Sequence, residues 1–323
     1  ASGGPNLMDP IFHYAPSPLV KAVVIDRGVS PVSAGPGLAG GADAVFKRID
    51  YGDGDSATFG YDFSLSGRSV NESLATGGVI GASTRDWRFN LLGSWEEGDD
   101  TEFGDGTIAG TAFERGVYGF SSGLRTDFGE ITLDLRRQNT GPSGNPPFPM
   151  DIIYFDTDFA RLGYSNSFGA ATFKASLHYT DVAHLMNNFS QRPAPPAMRQ
   201  RATLADATTR GLDASLAFPA FGGALTLGLD GDVAEHDVTI TNPNNLDFFV
   251  SPFPEVEIDR YGGFLEWRGA LAEINAELGL RIDQNSFEAG DATAGPALPM
   301  GPRNLAAGFN NAETSGDEAT VDV

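Results

Sequence analysis

The chain has 323 residues and a formal charge of -22, set by 43 acidic against 21 basic side chains. That excess repels phosphate and argues against a nucleic-acid partner. Cysteine is absent, which excludes disulfides and thiolate metal ligands, and no run reaches the roughly 18 apolar residues of a membrane-spanning helix.

Residues 1–50 form a loop-rich opening. Pro5, Pro10, Pro16 and Pro18 lead to a short apolar strand near 20–25, then to the turn-rich run DRGVSPVSAGPGLAGGADAVF. No GKS or GKT follows the glycines and no helix opens after them, so they do not read as a phosphate loop.

From Ala57 onward the pattern has a period of two. Ala57, Phe59, Tyr61, Phe63 and Leu65 alternate with small or polar residues, as do Trp87, Phe89, Leu91 and Trp95. Ile131, Leu133 and Leu135 face away from Thr132, Asp134 and Arg136. In 272–283 the apolar members are all even-numbered, a register no helix produces. About eleven strands are predicted, with the weakest alternation in 72–83 and 156–168.

Short turns are predicted near 84–86, 127–129, 168–170, 219–223 and 269–271. Long polar loops are predicted near 97–113, 140–153, 183–208, 236–257 and from 286 onward. A strand crosses a bilayer with only about 9–11 residues, and short turns on one rim with long loops on the other mark an outer-membrane barrel. A soluble sandwich or solenoid also alternates. The loop asymmetry and aromatic strand ends (Trp87, Trp95, Phe120, Tyr179, Trp267) favour the barrel. The fold class is therefore all-β: an antiparallel transmembrane β-barrel over 51–323, preceded by a separate module at 1–50. With no initiator Met, no signal peptide and a polar, Gly-rich end, the chain reads as a fragment of a longer protein.

The run 171–190, ATFKASLHYTDVAHLMNNFS, carries the most chemistry. Phe173, Ala175, Leu177 and Tyr179 form one face and Lys174, Ser176, His178 and Thr180 the other. If the extension continues, His184 and Met186 join the polar face and present an imidazole and a thioether together. Met198 is an accessory ligand or an ordinary loop Met. The acidic run 95–105 attracts cations or is a solvated loop, and its spacing does not match an EF-hand. No Ser/His/Asp set or carboxylate pair assembles, so enzyme activity is not expected.

A loop-rich module before a wide barrel resembles the TonB-dependent outer-membrane receptors, whose plug domain fills the lumen. Asp26-Arg27-Gly28, Ser33, Gly35 and Gly40-Gly41 sit where that family has its Arg-Gly, Ser and Gly-Gly pattern, although ADAV departs from the strand that usually follows. Pro5-Asn6-Leu7-Met8-Asp9-Pro10 and Asp181-Val182-Ala183-His184-Leu185-Met186 resemble two stretches of the copper receptors in that family. The resemblance implies the C-terminal part of a plug at 1–50 and about half of a roughly 22-stranded barrel at 51–323. It also implies copper ligands at Met8, His184 and Met186, with Gly4 in the place of a ligand Cys, and His13 as a possible substitute or a solvated loop residue. Thioether and imidazole suit Cu(I). The implied partners are the TonB–ExbB–ExbD energising complex and lipid of the Gram-negative outer membrane. The alternatives are a receptor of this fold for another metal complex or siderophore, a passive porin, which has no need of residues 1–50, and a soluble adhesin.

Overall fold

The computed structural model describes residues 11–26, 28, 30–35, 40–271 and 273–322. Two strands near the start, β1 (Val20–Asp26) and β2 (Gly41–Phe46), pair antiparallel in a small sheet of their own. The large sheet opens with β3 (Thr58–Arg68), β4 (Ser73–Ser83) and β5 (Trp87–Gly98). A miniature hairpin in the next loop, β6 (Thr101–Phe103) and β7 (Gly106–Ile108), stands apart from it. Then follow β8 (Phe113–Thr126), β9 (Gly129–Thr140), β10 (Asp151–Phe168), β11 (Ala171–Asn187) and β12 (Ala202–Ala220). β13 (Gly223–Asn242), β14 (Asn245–Leu271) and β15 (Ile274–Glu288) continue the series. Beyond a single helix, α1 (Met300–Asn310), lies β16 (Ser315–Asp322).

The result is one 12-stranded meander in which each strand pairs antiparallel with the next strand of the sheet, β5 with β8 across the small hairpin. Among the described residues β3 and β16 are its two open edges. This is a partial β-barrel.

The two faces invert the usual arrangement of a protein interior. The most fully buried large side chains include Arg281, Gln138, Asn90, Asp151 and Asp283. Phe59, Tyr61, Phe63 and Leu65 of β3, and Ile274, Leu278, Leu280 and Ile282 of β15, are exposed. An outward apolar band with a polar inside is what lipid on one face and a wet or plugged lumen on the other require. Charges inside survive by pairing: Arg281 donates to both Asp230 (2.8 Å) and Asp283 (2.6 Å). Gly262 makes room for that cluster, because a Cβ there would strike the Arg281 guanidinium.

The segment before the sheet is bound to this inner face. Leu19 is fully buried, and the backbone N–H of Ile49 donates to Asn90 Oδ1 at 2.7 Å. Lys47 pairs with Asp62 at 2.8 Å, and the Arg136 guanidinium lies 3.9 Å over the Phe46 ring. Farther on, Ser33 donates from its backbone N–H (3.1 Å) and its hydroxyl (2.7 Å) to Glu266 of β14.

The short turns fall where alternation predicts them, with 84–86 and 169–170 as examples, although β14 runs on to Leu271 and β15 starts at Ile274, past the predicted 269–271. Some predicted loops differ. Residues 236–257 are a continuous hairpin: β13 runs to Asn242 and β14 starts at Asn245, so only Pro243 and Asn244 turn. Pairing continues from His236 with Val256 to Asn242 with Asn245, through irregular register that the Pro252–Pro254 region accommodates. Likewise 183–208 shrinks to 188–201, which puts His184 and Met186 inside β11 instead of in a loop. Strands that rise beyond the bilayer are wet on both sides, so their alternation fades although the ladder continues. The weak stretch 72–83 is β4 apart from Glu72, whose positive φ of 47° closes the preceding turn. The other, 156–168, is most of β10, and the twelfth strand, beyond the eleven counted, is β16, inside the loop predicted from 286 onward.

The face assignment has a direct check. Leu177→Arg, on the outward face, should cost ~2–4 kcal/mol of insertion free energy near the bilayer midplane. Thr226→Arg, which points into an interior cavity of ≈ 870 Å³, should fold as the wild type does. Heat-modifiable gel migration after folding the full-length protein into vesicles reads both, and equal defects would reverse the assignment.

Candidate metal centre

His184 and Met186 lie two residues apart near the upper end of β11, and the pleat places both on the inner face. His184 is buried, and its ring packs 4.4 Å from the Phe155 ring on the neighbouring strand β10. Phe155, Val182 and Ala207 form a small apolar floor beneath it, against which Tyr14 and Ile152 pack. Such a floor keeps the imidazole out of bulk water.

The opposite wall of this niche is the 3₁₀ turn Ile11–Tyr14. The His13 ring lies 4.6 Å from the Phe155 ring, edge-on. Two imidazoles, one from the N-terminal segment and one from the sheet, therefore share one phenyl ring. Arg115 of β8 holds the turn in place by donating to the His13 carbonyl at 2.7 Å, and the same guanidinium pairs with Glu96. His13 is thus half-buried against the site rather than solvated.

Met8 lies outside the described residues, as do Gly4 and Arg27. Met198, in the short turn Ala197–Arg199 of the loop above, is 76% exposed and takes no part in the niche. The acidic run 95–105 is engaged in its own structure. Glu96 is held by Arg115, and Glu97 accepts from the Trp95 indole at 3.3 Å. Asp100 accepts the backbone N–H groups of Thr111 (2.7 Å) and Ala112 (2.9 Å), and those bonds hold its carboxyl below the usual carboxylate range. Among the described residues no group of three or more His, Asp or Glu side chains is arranged to hold a metal ion.

One residue near the niche has no place in the sequence reading. Met150 immediately precedes β10, and its Sδ accepts a hydrogen bond from Thr203 Oγ1 of β12 at 3.2 Å. Its context, Asn-Pro-Pro-Phe-Pro-Met, reads as loop, and only the pairing of three strands brings it here.

Two loops roof the site, and one arginine joins them. Arg192, in 188–201, donates from Nε to Asp151 (2.6 Å), from Nη1 to the Phe148 carbonyl (3.0 Å) and from Nη2 to the Asn145 carbonyl (3.3 Å). The Asp151 carboxylate raises the pKa of that guanidinium further above its ordinary value. Arg192→Ala leaves a buried carboxylate without its cation, a cost of ~1–3 kcal/mol or more. Amide exchange across 145–151 and 188–201 should rise by about tenfold or more, with β12 and β13 unchanged. Unaltered exchange in both loops would show that they are held by something else.

A family model described as "TonB dependent receptor-like, beta-barrel" matches residues 94–316. Among solved structures, the copper transporter OprC superposes with a TM-score of 0.81 at 20% identity, covering 99% of this chain and 51% of that one. P. aeruginosa FpvA bound to heterologous pyoverdines matches with a TM-score of 0.60 at 12% identity, over 86% of this chain and 43% of that one. The FpvAI–pyocin S2 complex matches similarly, with a TM-score of 0.59. The chain spans about half the length of the solved structures it resembles. No curated protein sequence matches it.

Proposed function

Because the chain belongs to the TonB-dependent receptor family, a family of outer-membrane receptors and transporters, we propose that it is part of a receptor that takes up copper. The observation that carries this reading is the pairing of His184, which is buried, and Met186, which is half-buried, on the inner face of β11, beside the turn that bears His13. An imidazole and thioethers suit Cu(I), whereas harder ions select carboxylates. Fold likeness to the copper transporter OprC over nearly the whole chain supports the same reading. Met8 would complete the ligand set from the N-terminal segment.

In this reading residues 1–50 are the C-terminal part of a plug, and 51–323 are the N-terminal half of a barrel of roughly 22 strands. The open edges at β3 and β16 support it, since an edge in hydrocarbon leaves backbone groups unpaired. The protein would sit in the outer membrane of a Gram-negative cell, with the TonB–ExbB–ExbD complex supplying the energy to displace the plug. Copper is cargo here, bound on entry and released inward.

Gly4 favours a second reading, a receptor for another metal complex or siderophore, because the copper receptors carry a ligand Cys at that place. Titration of the full receptor with Cu(I) separates the two. Wild type should bind one ion, and His184→Ala or Met186→Ala should weaken binding by at least the roughly 10–100-fold that losing even an outer-shell partner costs. Gly4→Cys should tighten binding, because a thiolate adds charge and a softer donor. Identical titrations for wild type, Met186→Ala and Gly4→Cys would overturn the copper reading in favour of the second.

A further inference from the structure

We propose that Met150 is an additional thioether ligand of the same centre, so that the site draws soft donors from β10 and β11 as well as from the N-terminal segment. The inference rests on the copper reading above and adds a residue to it.

The argument is one of register. Thr203 on β12 is the direct partner of Met186 on β11, and Ile152 on β10 is the partner of Met186 on its other side. Strands β10 and β12 are not neighbours; β11 lies between them. Each spacing is about 4.8 Å, so a side chain from the head of β10 that touches β12 must cross the inner face of β11. The Met150 sulfur does touch β12, at 3.2 Å from Thr203 Oγ1. It therefore crosses at Met186, and His184 lies two residues down the same face.

The sulfur is also held before any ion arrives. Thr203 is buried, and its hydroxyl fixes the thioether through one lone pair while another remains for a metal. The backbone around Met150 is anchored by Asp151, which accepts the Asn145 N–H at 2.9 Å and takes Arg192 on its other oxygen. A flexible Met ordinarily loses rotamer freedom on binding, and this placement removes part of that cost in advance. Two sulfurs and an imidazole make a donor set that selects Cu(I) over Zn²⁺ or Ca²⁺.

The test uses the full receptor in detergent, with Cu(I) competed against a chromophoric chelator and the sulfur count read by copper X-ray absorption. Met150→Leu, which keeps the volume, should weaken Cu(I) binding about tenfold or more and remove one sulfur from the coordination shell. Met150→Cys should restore a sulfur donor and recover the affinity, an outcome that lost packing alone would not give. Thr203→Val should weaken binding less, because it loosens the thioether without deleting it. A Met150→Leu protein that binds like wild type, with an unchanged sulfur count, overturns the role of Met150 and leaves the copper reading intact. If that variant does not fold, the sulfur count of Met8→Leu decides: His184 with one sulfur overturns the proposal, with two supports it. A wild type that binds no Cu(I) overturns both.

Discussion

The constraint on which the structure depends is the absence of water in hydrocarbon. A strand that enters lipid must give each backbone N–H and C=O a partner on the next strand. The sequence-adjacent antiparallel ladder from β3 to β16 is the simplest way to do so, and short turns make it cheap in chain length. Phe221 and Gly222, with φ of 53° and 77°, close β12 onto β13 in two residues. Positive φ at both positions matches the right-handed twist of the strands, which explains why even a bulky Phe is held there. Everything else follows from the ladder, because the pleat then sends alternate side chains to lipid and to the interior.

That interior is polar, and polar groups without water need partners. The Arg281, Asp230 and Asp283 cluster shows how the demand is met: a cation with no exposed surface donates to two carboxylates at once. Removing one member of such a group leaves uncompensated charge and costs about 3–5 kcal/mol. The interior therefore resists substitution as strongly as an apolar core does, for the opposite reason. Against this background a patch built from Phe155, Val182 and Ala207 is unusual, and it is where His184 sits.

Alternation along single strands was enough to read the fold class, the identity of each face and the position of His184 and Met186 on the inner one. These features are local: they depend on the parity of residue numbers within one strand, as in Ile274, Leu278 and Ile282 against Arg281 and Asp283. What escaped the sequence is set between strands. Residues 236–257 form a hairpin because β13 and β14 keep pairing above the bilayer, where no lipid enforces a pattern. The approach of Met150 to Thr203 depends on the register of β10, β11 and β12 together, and that of His13 to Phe155 on a fold-back across 142 positions. No periodicity within a segment encodes such meetings.

The contacts between residues 32–34 and the sheet differ in kind from those within the sheet. Glu266 accepts both donors of Ser33 on one carboxylate oxygen, while its other oxygen is held by Arg268 at 2.8 Å. Arg281 donates to the Val32 carbonyl at 3.3 Å, a weaker bond than those it makes to Asp230 and Asp283. If residues 32–34 moved away, both charged groups would keep a partner of opposite sign, and only neutral donors and one carbonyl would be exchanged for water. A neutral hydrogen bond is worth ~0.5–1.5 kcal/mol net, far less than a stranded buried charge. The wall is thus electrostatically complete on its own. A segment held to such a wall by neutral groups can be displaced there without the wall losing its structure.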